Sequence, residues 1–121
     1  MTPFHLYLYG PSRGAIDSSF EELEGRLIML PLLDFEPDGS FVWARDAGQL
    51  QIFGMVYDAE GMVRYCDLQG RCLYQTWREL CVAIAGGACD RLEVMSLPDR
   101  QLQDLQTFEK NLWPETSGSQ G

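Results

Sequence analysis

Lysine and histidine each occur once in this chain, and the nine cations, eight of them arginine, form no cluster. Against eighteen carboxylates they leave a net charge of −9. That balance argues against nucleic acid as a partner, because neutralising phosphates takes grouped Lys and Arg. It also disfavours anionic membrane surfaces and leaves basic protein partners open. With Lys110 as the one lysine, Schiff-base or phosphate-anchoring lysine chemistry has little scope. Long apolar runs are missing as well. The longest, Leu27 to Leu33, holds Pro31, so no membrane span is expected. The N-terminal stretch has neither the cationic nor the long apolar region of an export signal, and the expected location is cytoplasmic.

Cysteine is sparse. Cys66, Cys72, Cys81 and Cys89 have gaps that fit neither paired CxxC zinc ligands nor a dense disulfide scaffold. Reduced thiols in a reducing compartment are the simplest account. Neither GxGxxG nor GxxxxGK[ST] occurs, so Gly10, Gly14 and the Gly86-Gly87 pair form no phosphate loop. The run Asp34 to Ser40 has acidic groups at positions one, three and five and Gly at six, like the opening of a calcium loop. Its twelfth position is Arg45 instead of a bidentate Glu, so no metal site is assigned. No cofactor is expected, and the absence of any catalytic motif leans away from an enzyme.

What is present is a strong strand pattern between Leu32 and Ala85. Leu32 to Phe35 and Phe41 to Arg45 flank Glu36-Pro37-Asp38-Gly39, a turn in which Pro presets φ and Gly accepts a positive one. Leu50 to Asp58 is the longest predicted strand, apolar on both faces. Ala59-Glu60-Gly61 suggests a three-residue loop that puts Tyr57 opposite Val63 and Met55 opposite Tyr65; a two-residue loop would move every pair by one. A strand over 62–68 ends at Gln69-Gly70. Thr76 with Glu79 forms a capping box opening a helix that Gly86-Gly87 stops.

Outside that stretch, Phe4 to Tyr9 alternates as a strand. Ser19 to Glu22 is a second capping box, opening a helix with Phe20, Leu23, Leu27 and Leu30 on one face and Pro31 beyond its end. A strand over 91–96 and a helix over 98–113, with Pro98 in its first turn, complete the reading. Leu102, Leu105, Phe108 and Leu112 form the stripe of that helix, with Gln101, Gln103 and Gln106 facing water. The pattern predicts one α+β domain over residues 1–113, a mainly antiparallel β-meander of five or six strands packed with three helices. Residues 114–121 are expected to be a disordered tail.

Two sets of side chains are candidates for function. Trp43, Phe53, Met55, Tyr57, Arg64 and Tyr65 have the aromatic, Met and Arg composition of interface centres. The competing reading is that these aromatics are ordinary core. His5, Tyr7 and Asp34 are the polar groups a pocket between sheet and helix would use. In size, acidity and mixed pattern the chain is similar to small bacterial binding proteins, such as secretion chaperones and toxin-immunity proteins, a likeness that transfers no residue's role. The resulting expectation is a protein-binding module, its partner another protein or a second copy of itself. The alternative is a small-molecule binder or enzyme.

Overall fold

The computed structural model describes residues 2–87 and 89–114. The elements in chain order are β1 (Phe4–Tyr9), α1 (Phe20–Leu27), β2 (Leu33–Phe35), β3 (Ser40–Arg45), β4 (Leu50–Ala59), β5 (Met62–Arg71), α2 (Tyr74–Ala85), β6 (Glu93–Ser96), β7 (Gln101–Asp104) and α3 (Leu105–Leu112). The seven strands make one sheet in the order β2-β3-β4-β5-β1-β6-β7, and every neighbouring pair is antiparallel. With three helices packed on it, this is an α+β fold, one strand beyond the expected number. Residues 115–121, most of the expected tail, lie outside the described residues.

Local chemistry accounts for most boundaries. Ser19 Oγ accepts from Glu22 N (3.1 Å) and Glu22 Oε1 accepts from Ser19 N (2.9 Å), the reciprocal box that starts α1. That helix stops at Leu27, three residues before Leu30. In the β2–β3 turn, Asp38 Oδ1 accepts from both Ser40 N (2.9 Å) and Ser40 Oγ (2.7 Å). The loop between β4 and β5 is the two-residue form. Glu60 and Gly61 both have positive φ, 56° and 84°, as a primed turn matching the strand twist requires, and Ala59 pairs with Met62. A register shift then follows: Asp58 faces Val63 but Tyr57 faces Tyr65, so Arg64 is the extra residue of a bulge.

Three boundaries differ from the expectations. Helix α2 begins at Tyr74 with Leu73 as its N-cap and no side-chain cap, so Thr76 and Glu79 lie inside the helix and do not open it. Strand β5 runs on through Gly70 to Arg71. Gly70 sits at φ 154° with β4 so close that a Cβ would fall 1.9 Å from Gln51 O, a position only glycine can occupy. The third difference is the largest. Pro98 opens no helix; it lies in the turn between β6 and β7, after a cis Leu97–Pro98 peptide. Leu102 is a strand residue opposite Met95, and Gln103 is half-buried and donates to Ser96 Oγ (3.0 Å). Helix α3 starts seven residues later than predicted, where Asp104 accepts from Thr107 N (2.7 Å).

All three helices cover the same face of the sheet. Leu23 and Leu27 of α1, Trp77, Leu80 and Ile84 of α2, and Leu105 and Phe108 of α3 share one buried cluster with Leu6, Leu8, Phe41, Trp43, Ile52, Val56, Leu68 and Val94 from the strands. Arg26 of α1 donates to Ala83 O and Ile84 O at the carboxyl end of α2, where a cation complements the helix dipole. Glu109 of α3 is 3% exposed and accepts from Trp77 Nε1 and Arg78 Nη1, both at 3.0 Å. Those bonds hold α3 against α2 and raise the Arg78 pKa although partial burial opposes its charge.

Candidate functional site

The other face of the sheet carries no helix, and its side chains follow from register, since paired residues point the same way. One cross-strand row reads Tyr57, Tyr65, Tyr9, Glu93, Asp104 over β4, β5, β1, β6 and β7. The next reads Ser40, Met55, Asp67, Tyr7, Met95, Leu102, and a third Asp34, Val42, Phe53, Gln69, His5. Phe53 is 48% exposed, Leu102 48% and Tyr57 40%. The Tyr65 ring is the hub of the tyrosines. It stacks on Tyr57 (centroids 4.8 Å apart, 20° between planes) and touches Tyr7 and Tyr9 at 5.1 and 5.4 Å. Burial, then the neighbouring phenols, raises the Tyr65 pKa.

The interface set predicted from sequence is therefore partly assembled. Phe53, Met55, Tyr57 and Tyr65 lie together on the open face. Trp43 does not belong with them: it points into the core, 0% exposed, and its indole N–H donates to Pro31 O at 2.8 Å. Its phase explains this, because Trp43 pairs with Ile52 and not with Phe53. Arg64 is exposed at the bulge and reaches Glu60 at 3.4 Å, apart from the ring cluster. Tyr9, Asp67, Glu93, Met95, Leu102 and Asp104 complete the face and were not among the candidates. The alternation of Tyr7 and Tyr9 with Leu6 and Leu8 was the available signal, but it does not say which strand lies beside β1.

The pocket set is split. His5 Nε2 lies 3.0 Å from Asp67 Oδ1, and Tyr7 is opposite Asp67 on the adjacent strand. Asp34, on edge strand β2, is four strands away from β1 in the sheet order. A cavity of about 560 Å³ does open at the end of the sheet, where His5, Phe53, Gln69 and Arg71 meet Phe4, Phe108 and Leu112.

The thiols lie in the covered layer. All four cysteines are free and buried. Burial pushes Cys66 and Cys72 up to about 12 and raises Cys81 and Cys89 as well, which disables them as nucleophiles at neutral pH. Among the described residues no group of three or more His, Cys, Asp or Glu is placed to hold a metal ion. No helix there is long and apolar enough to cross a membrane.

Comparison with protein-family models, with curated proteins and with solved structures finds no match to this chain. The functional reading rests on the molecule itself.

Proposed function

We propose that this protein is a non-catalytic binding module that seats a cationic polypeptide segment on its open sheet face, in the manner of an adaptor, chaperone or immunity protein. The observation that carries the reading is the row Tyr57, Tyr65, Tyr9, Glu93, Asp104. Three tyrosines run directly into two carboxylates, and no helix lies over them. Tyrosine rings supply large contact area with little side-chain entropy to lose. An Arg or Lys over such a ring gains about 0.5–1 kcal/mol when exposed and about 2 kcal/mol when desolvated.

Glu93 accepts from Ser12 N (3.1 Å) and Asp104 from Thr107 N. Both partners are neutral backbone groups, so the carboxylates keep their charge and are fixed beside the rings. The net charge of −9 adds long-range attraction for a basic partner. A second copy fits less well. Apposing two such faces would crowd Asp67, Glu93 and Asp104 against their own images, and like charges in contact oppose association.

The test is fluorescence-anisotropy titration with an Arg/Tyr-rich peptide and with a Glu-rich peptide of equal length. The cationic peptide should bind, weaken as salt rises, and lose about tenfold or more in affinity on Tyr65→Ser, the cost of about 1.4 kcal/mol expected for an aromatic anchor. Equal binding of the acidic peptide, or a Tyr9→Ser, Tyr65→Ser double variant that binds like wild type, refutes the reading.

A further inference from the structure

The geometry points to a second site on this molecule, separate from the tyrosine row: the cavity at the end of the sheet takes a small carboxylate with an apolar body. Its volume of about 560 Å³ lies within the range of about 300–1,000 Å³ that small-molecule sites occupy. Four polar side chains border it, His5, Gln51, Gln69 and Arg71, and Phe4, Phe53, Phe108 and Leu112 form its apolar walls. That mixture of apolar wall and a few polar groups is what orients a small ligand.

Charge decides the class of ligand. The chain has eighteen carboxylates and nine cations, yet no Asp or Glu lines this cavity, while an Arg and the one His do. The nearest carboxylate on the face, Asp67, is held by His5 at 3.0 Å. Arg71 is set in place by its own bond, Nε to Gly48 O at 2.9 Å. Its remaining N–H groups can take a carboxylate in the paired geometry that guanidinium favours. Register puts the amide of Gln51 opposite Arg71 and that of Gln69 opposite Phe53, so amide donors flank both the cation and the ring. Gly70 keeps the opening clear: it brings no side chain, and β4 lies too close for one to be added.

The probes are benzoate and hexanoate, with benzamide and hexanamide as neutral counterparts, followed by amide chemical shifts of the isotopically labelled full chain. At least one acid should give saturable shifts at Phe53, Gly70 and Arg71 with submillimolar affinity, and its amide should not. Arg71→Gln should weaken the acid about tenfold or more, and Arg71→Lys, which keeps charge but loses the fork, should fall between. Arg91→Gln, outside the cavity, should bind as wild type does. Thermal melts of the Arg71 variants confirm that they are folded. Tyr65→Ser should leave acid binding unchanged, which separates this site from the peptide-binding face. No saturable shift with either acid at millimolar concentration overturns the proposal. So does equal binding of acid and amide, or an Arg71→Gln protein that is folded and binds as wild type.

Discussion

Along β4, Leu50, Ile52 and Val56 are at most 3% exposed, whereas Phe53 and Tyr57, one residue out of phase, are 48% and 40% exposed. Both sets are apolar or aromatic, so side-chain type does not separate them. What separates them is cover: three helices lie on one face of the sheet and none on the other. The inner set contributes stability by leaving water on folding. The outer set can gain the same energy only when something else covers it, which is why an exposed apolar sheet face reads as a place for binding. The helix-covered face also has tighter geometry. The Phe41 ring lies over Gly54, so closely that a Cβ there would be 2.1 Å from Phe41 Cζ.

The sharpest way to break this comparison is to truncate one large ring on each face. Trp43→Ala removes a fully buried indole and leaves both a cavity and an unpaired Pro31 carbonyl. It should cost about 3–5 kcal/mol. Phe53→Ala, on the open face, should cost less than about 1 kcal/mol. Urea unfolding of the two variants measures both. If Phe53→Ala proved as costly as Trp43→Ala, the open face would be a covered one and the proposed binding surface would not exist.

A smaller effect sharpens the same contrast at neighbouring positions. Gly54→Ala inserts a methyl group into the Phe41 ring and should destabilise by about 1–3 kcal/mol through overpacking. Met55→Ala, the next residue and half-buried on the outer side, should cost less. Reversal of that order in the same unfolding assay would mean that the strand's phase is wrong.

Phase is also where sequence reading reached its limit. The Ser19–Glu22 box, the Pro37–Gly39 turn and the Gly86 stop were legible because each is decided within a few residues. So was the antiparallel α+β class, which follows from alternation and turn spacing. The pairing of Tyr57 with Tyr65 was not, because one extra residue at Arg64 changes the register after a correctly located turn. The turn and its bulge have to be known together. Strand β1 settles between β5 and β6, far from both in the chain, so Tyr7 and Tyr9 joined the aromatic patch through contacts that no local pattern encodes. Leu102 misled for a different reason. Its spacing to Leu105, Phe108 and Leu112 fits a helical stripe, yet the local cap at Asp104 begins the helix only after it. The candidate site was legible in its β4 and β5 aromatics and illegible in everything that strand order supplies.

The smallest effect concerns neither face but the polar ends that hold both in register. Glu22, Asp38 and Asp104 each accept hydrogen bonds at a helix start or turn, from Ser19, Ser40 and Thr107 respectively, and those bonds lower their pKa values below the ordinary 4.5 for Glu22 and 3.8 for the two Asp. A carboxylate whose pKa is lower folded than unfolded binds its proton more readily in the unfolded chain. Its contribution is therefore complete above the ordinary value and fades as pH falls through the depressed one. Stability should be flat above that range and decline below it. Asp104→Asn retains an oxygen that can accept from Thr107 N but cannot titrate, so it should reduce the acid-side slope and leave stability near neutrality almost unchanged. Denaturation midpoints across the acid range measure this. An Asp104→Asn protein with an undiminished slope would show that this cap is not linked to proton uptake on unfolding, and that the acid response comes from other carboxylates.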